Sequence, residues 1–226
     1  MKKTIFIFFI LFSTFLKSED ISWKKYKKKT FFYQKKIPGW CTVEKSEKMM
    51  NLIYNASPEI CVEIGVFGGS SVYPTAMALK FLNKGKIYAI DPWENNECVE
   101  GYDKNDPNYI WWNKINLNKI YKSFKKMINI NKLSSFCQIM KMTSENAVNF
   151  FKDESIDILH IDGNHTEQKS FLDVQNFLPK VKKGGFIWFD DANWNTTSKA
   201  INYLQENCEF LPNMSINNTC LLFRKF

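Results

Sequence analysis

The run Glu63-Ile64-Gly65-Val66-Phe67-Gly68-Gly69-Ser70-Ser71 decides how the chain is read. It ends a short apolar stretch, residues 60–64, and opens a stretch of helical periodicity, residues 70–82. Glycines between a strand and a helix let the backbone turn sharply and approach a ligand, and the helix N-terminus offers free N–H groups. Working outward, apolar runs at 86–90, 136–140, 156–161 and 186–189 alternate with helical patterns at 109–130, 145–151, 167–178 and 197–206. That alternation predicts an α/β domain on a doubly wound, mostly parallel sheet. The tail, 209–211 and 219–224 around a polar turn, predicts a terminal antiparallel hairpin.

Sheets of this kind bind ligands at the carboxyl ends of their central strands. Asp91 ends the second strand, where a carboxylate can accept both hydroxyls of a ribose. Glycine turn and acid together point to a nucleotide-like ligand, either a nicotinamide dinucleotide or S-adenosylmethionine. The dinucleotide fingerprint needs a second glycine two residues after the first, against the pyrophosphate. Phe67 stands there, and Glu63 would repel phosphates while suiting a cationic amino-acid ligand. The local chemistry favours S-adenosylmethionine.

Two further constellations close later strands: Asp162-Gly163-Asn164-His165 and Asp190-Asp191-Ala192-Asn193. Neighbouring strand ends would bring Asp162, Asp190 and Asp191 to one rim. Three unneutralised carboxylates repel and raise one another's pKa. A hard divalent cation resolves this, and oxygen donors suit Mg²⁺ better than zinc. Helix capping also explains Asp162 and Asp191, though not Asp190. His165 has the ordinary pKa of a general base, and capping the following helix is its other reading.

Over about residues 37–189, with the Pro38-Gly39-Trp40 lead-in, the chain resembles the class I S-adenosylmethionine-dependent methyltransferases. More narrowly it is similar to the catechol O-methyltransferase-like and macrocin/novobiocin-type sugar O-methyltransferases. The resemblance implies a Rossmann-like sheet of seven strands whose last two form the hairpin. It implies that Glu63, Gly65, Gly69 and Ser71 form the cofactor turn, that Asp91 holds the ribose, and that Ser144 lies on the adenine side. It matches Asp162, Asp190 and Asp191 to metal ligands, with Asp162 and His165 at the catalytic centre. The catechol enzymes keep a base lysine where His165 stands, and the sugar enzymes a base aspartate where Asn164 stands. The implied activity is Mg²⁺-assisted O-methylation of a small phenolic or sugar-like acceptor. A non-catalytic S-adenosylmethionine- or nucleotide-binding protein of the same fold is the other reading. Trp93, the polar loop 94–108 and the pair Trp111-Trp112 are expected to select the acceptor, unless the pair is plain core.

The chain has 226 residues and a formal net charge of +8. Ten lysines against Glu19 and Asp20 put all of that excess into residues 1–36, and residues 37–226 balance. Residues 1–18, two lysines and then thirteen apolar positions, follow the signal-peptide pattern and are short of the ~20 residues a membrane span needs. They suggest export or membrane association, with a cytoplasmic location if the segment has no targeting role. Residues 19–36 read as a basic, solvated linker with weak contact to an anionic membrane surface as a further option. Residues 37–226 form the methyltransferase-like domain. Their neutrality and the lack of an Asn-Pro-Pro-Tyr-type element argue against nucleic acid as partner. Six cysteines show no zinc spacing, and Cys61 and Cys137 fall in apolar runs as expected for buried thiols.

Overall fold

The computed structural model describes residues 20–226, so the signal-like segment lies outside the described residues. The chain runs α1 (Ile21–Gln34), α2 (Val43–Ala56), β1 (Ile60–Ile64), α3 (Val72–Leu82), β2 (Lys86–Ile90) and α4 (Asn95–Cys98). It continues through α5 (Pro107–Lys114), α6 (Leu117–Ile130), β3 (Cys137–Met140), α7 (Ser144–Ala147), β4 (Ile156–Ile161) and α8 (Glu167–Phe177). β5 (Val181–Phe189), α9 (Ser198–Asn207), β6 (Cys208–Phe210) and β7 (Leu221–Lys225) complete it.

The sheet order is β3-β2-β1-β4-β5-β7-β6. β1 to β5 pair in parallel, and β7 runs antiparallel to both β5 and β6. Strand alternation sorts the apolar side chains into two layers. Cys61, Ile87 and Trp188 join α1, α2, α3 and α6 on one face, and Val62, Ile64, Leu159 and Ile187 join α7, α8 and α9 on the other. Strand order reverses between β1 and β4, and there the connections diverge to leave a crevice at the carboxyl ends. The doubly wound seven-stranded sheet with its terminal hairpin is as the sequence predicts.

Several elements depart from expectation: α4 lies within the expected loop 94–108, and β5 begins at Val181 and not at 186. The helix expected over 109–130 breaks at Ile115 and Asn116, whose side chain accepts from the Lys119 N–H and caps α6 afresh. α2 has no counterpart in the sequence reading. It starts where the Thr42 hydroxyl accepts from the Lys45 N–H and buries Met49, Met50, Leu52 and Ile53.

A further correction is to the linker. Residues 21–34 form a helix capped by Asp20, not a solvated strap. Trp23, Lys27, Thr30 and Gln34 lie on one helical face and are buried. Trp23 stacks on Tyr54 and meets Phe81 at a tilt, each with ring centres 4.8 Å away. Lys27 Nζ donates to Glu47 at 2.8 Å and to Asn51 at 2.9 Å. The buried face is mostly polar by residue type, so its apolar signal was faint. The lysines at 24, 25, 28, 29, 35 and 36 do lie in solvent. No helix among the described residues is long and apolar enough to cross a membrane.

Candidate active site

Gly65 closes β1 in a left-handed conformation, φ +84°, and a Cβ there would sit 1.8 Å from the carbonyl oxygen of Asp162. Any side chain would therefore push β1 and β4 apart. A cavity of about 590 Å³ opens above this point, within the range of small-molecule sites. Gly65, Ser71, Asp91, Ser144, Asp162, His165, Asp190 and Asp191 all border it.

Glu63 and Gly69, two of the expected cofactor-turn residues, are not among the residues that line it. β-strand alternation turns Glu63 toward α3, where it is fully buried and accepts from Ser71 Oγ at 2.5 Å. Gly69 makes room for α6: a Cβ there would meet the Phe124 ring at 2.5 Å. Both residues shape the turn from behind.

Asp91 is nearly fully buried, and its carboxylate accepts the backbone N–H groups of Val66 (3.0 Å), Phe67 (2.8 Å) and Trp93 (2.7 Å). Burial raises its pKa against those three hydrogen bonds. Ser144 donates to Asp173 at 2.5 Å. Asp173, from α8, is a buried acid the sequence reading missed. It borders the cavity, and burial pushes its pKa up to about 7. Its only sequence signal is an acid on the face of a helix that also carries Val174 and Phe177.

At the β4–β5 end the acids are met by side chains. His165 Nε2 lies 2.5 Å from Asp191 Oδ2, and the ring meets Trp194 edge-on at 4.9 Å. Burial draws the His165 pKa down, but the Asp191 hydrogen bond and the charges of Asp162, Asp191 and Asp173 leave it raised. Asp191 is held below its ordinary value: burial opposes this, and the His165 bond and charge outweigh it. Burial raises Asp162, and Lys45, His160 and His165 temper the rise.

Asp190 borders the same cavity as Asp162 and Asp191 but is engaged by other partners. Its Oδ2 pairs with Lys45 Nζ and lies 3.0 Å from His160 Nε2. Asp162, His165 and Asp191 instead bring ligand-type atoms within 4.8 Å of one another. Lys45, on the unforeseen α2, supplies a positive charge that the expectation of a bare acidic rim left out. Asn164, at the sugar enzymes' base position, donates to the carbonyls of Glu100 (2.9 Å) and Cys98 (3.4 Å) and so pins the 94–103 segment.

That segment, with Tyr102, Trp111 and Trp112, walls the cavity. Trp40, Phe67, Trp111 and Trp112 cluster with ring centres 4.7 to 5.9 Å apart. The Trp pair thus belongs to the wall. Trp93 does not: it is core, against Tyr121 and Phe124, with its indole N–H donated to the Phe67 carbonyl. All six cysteines are free thiols.

Residues 62–192 match the family described as "Methyltransferase domain". The chain belongs to that family. The fold is similar to the S-adenosylhomocysteine-bound methyltransferase PaMTH1 of Podospora anserina, at 12% identity and TM-score 0.63, over 89% of this chain and 88% of that one. It is equally similar to the O-methyltransferase NovP, at 15% identity and TM-score 0.63, over 83% of each chain. At such identities these likenesses establish the fold, and the family match bears out the resemblance to methyltransferases. A sequence relative, the uncharacterized protein y4gI of Sinorhizobium fredii, is 24% identical over 144 residues. That match takes in 63% of this chain and spans 14% of that protein's length.

Proposed function

We propose that the protein moves the methyl group of S-adenosylmethionine to a hydroxyl of a small phenolic or sugar-like acceptor, with His165 as general base. The observation that carries this is the His165–Asp191 pair, 2.5 Å apart on the wall of the cavity that Gly65 and Asp91 also border. S-adenosylmethionine supplies, when bound, a methyl carbon activated by its sulfonium. The turn after β1 and the Asp91 carboxylate are suited to its amino-acid and ribose parts, and Ser144 with Asp173 to its adenine side. With its Nε2 proton donated to Asp191, the imidazole has Nδ1 free to take the proton from the acceptor oxygen. Asp191 stabilises the resulting imidazolium. The aromatic wall would hold a ring or sugar face, and alignment of oxygen with the methyl would supply much of the rate.

A second reading adds a divalent cation, with Mg²⁺ expected. It is favoured by the 4.8 Å grouping of Asp162, His165 and Asp191. A cation held there would polarise the acceptor hydroxyl. His165 would then be a ligand and the base would lie elsewhere.

Calorimetric titration with S-adenosylmethionine, followed by a methyl-transfer assay on model phenols and sugars with and without chelator, tests both. Failure to bind the cofactor sinks both readings. Binding without turnover on any hydroxyl acceptor would favour the non-catalytic reading, and loss of turnover with chelator would favour the cation.

A further inference from the structure

Asp190 ends a buried polar chain that begins behind the glycine turn. Ser71 Oγ donates to Glu63 Oε1, and Glu63 Oε2 lies 3.2 Å from His160 Nδ1. That approach is at ion-pair distance without hydrogen-bond angles, and neither atom has a hydrogen-bond partner. The cross-strand register makes it inevitable, since Glu63 of β1 stands opposite His160 of β4. His160 Nε2 then reaches Asp190, and Asp190 reaches Lys45. Lys45 Nζ is also 4.0 Å from Asp162 Oδ2, and its side chain is 8% exposed.

The position of Lys45 is costly for a lysine. It lies in the first turn of α2, where the partial positive charge of the helix N-terminus disfavours a cation. Burial disfavours it again. A lysine is retained in such a place only if negative groups surround it, and here Asp190 and Asp162 do. His160, Asp190 and Cys220 also gather ligand-type atoms within 4.8 Å of one another, and the ammonium is joined to that group through Asp190. A divalent ion using Asp190 would have to displace a fixed positive charge.

We infer that the Lys45 ammonium is the resident cation of the acidic rim, a positioning residue that neutralises Asp190 and Asp162 where a metal ion would otherwise be needed. This rests on the first, metal-free reading above. Lys45 holds the two carboxylates in place and leaves Asp191 to His165. It also couples α2 to the ends of β4 and β5.

The test is Mn²⁺ titration followed by electron paramagnetic resonance on the full chain saturated with S-adenosylhomocysteine, for wild type, Lys45→Met, Lys45→Arg and Asp190→Asn. Wild type and Lys45→Arg are expected to bind Mn²⁺ weakly and to transfer methyl in the presence of chelator. Lys45→Met is expected to gain Mn²⁺ affinity by about tenfold or more, the scale on which groups beside metal ligands act. Tight Mn²⁺ binding by wild type that Asp190→Asn abolishes would overturn the inference. So would a Lys45→Met variant that folds and gains no affinity, or a gain in Lys45→Arg equal to that in Lys45→Met. If Lys45→Met does not fold, the wild-type, Lys45→Arg and Asp190→Asn titrations still decide. Failure to bind S-adenosylmethionine would strike the proposed function instead, and the same Mn²⁺ titrations run without S-adenosylhomocysteine keep the two outcomes apart.

Discussion

At the β1–β2 end of the cavity Asp91 is answered by backbone N–H groups, whereas at the β4–β5 end Asp190 and Asp191 are answered by side chains. Asp91 is held by three backbone N–H groups, none more than 25 residues distant. Asp190 is held by Lys45, 145 residues away, and by His160. Backbone donors are always present and do not titrate, so the first end is a fixed scaffold for binding. Side-chain partners can gain and lose protons, so the second end is where proton chemistry can occur.

The sharpest way to break this contrast is to strip the second end. His165→Ala should lower turnover by about 10²–10⁴-fold while cofactor affinity stays within a factor of a few, read by single-turnover assay and calorimetry. A fall in cofactor affinity of similar size would mean that the two ends are not separate. Wild-type activity should rise with pH through an apparent pKa above 6.5, because the base must be neutral and its carboxylate neighbours favour its charged form. A pH-independent rate would remove His165 from that role.

At the first end, Asp91→Ala leaves three buried N–H groups without their acceptor. A stability loss of about 3 kcal/mol is expected in chemical denaturation, together with weakened cofactor binding. Unchanged stability would show that the backbone does not need this carboxylate.

Asp173 gives a finer test. Its carboxyl titrates near 3.8 when unfolded and at about 7 when folded. The folded chain therefore holds the extra proton between those values, and stability should fall as pH rises from about 4 to 7. The groups that act on it are Ser144, Glu145, Lys169 and His165. Asp173→Asn should flatten that slope, measured by denaturant unfolding across the range. Parallel curves for the two proteins would sink the assignment.

The smallest effect is expected from Trp40, more than two-thirds exposed yet part of the aromatic wall. Trp40→Ala should cost about 1 kcal/mol of acceptor binding, roughly fivefold in KM with kcat little changed. A change in kcat instead would place the residue nearer the chemistry.

The same contrast explains what could be read from the sequence. The strand-end residues Gly65, Asp91, Asp162, Asp190 and Asp191 were legible because a parallel sheet presents every strand end at one edge. Which way each side chain points, and what meets it, was less so. Glu63 stands beside the glycine turn in sequence, but period-two alternation buries it against α3. Lys45 was invisible because its partners come from β4 and β5 and nothing in the local pattern marks it. The Thr42 cap and the apolar spacing of Met49, Met50, Leu52 and Ile53 would have revealed α2 itself. α1 was hidden more deeply, since three of its four buried positions are polar residues.

Gln34, at the end of α1, holds its Nε2 within hydrogen-bond reach of the Cys41 carbonyl, the Ser46 hydroxyl and the Ser70 carbonyl, which share its two N–H hydrogens. One amide thereby ties the lead-in loop, α2 and the glycine turn to a helix that composition marks as dispensable. Anyone preparing a shortened version for crystallisation would be tempted to cut at Ile37, where the charge excess ends. A cut there removes the clasp of the cofactor turn, and the recombinant product would be expected to lose its ligand before it lost its sheet. The boundary worth choosing lies ahead of Asp20.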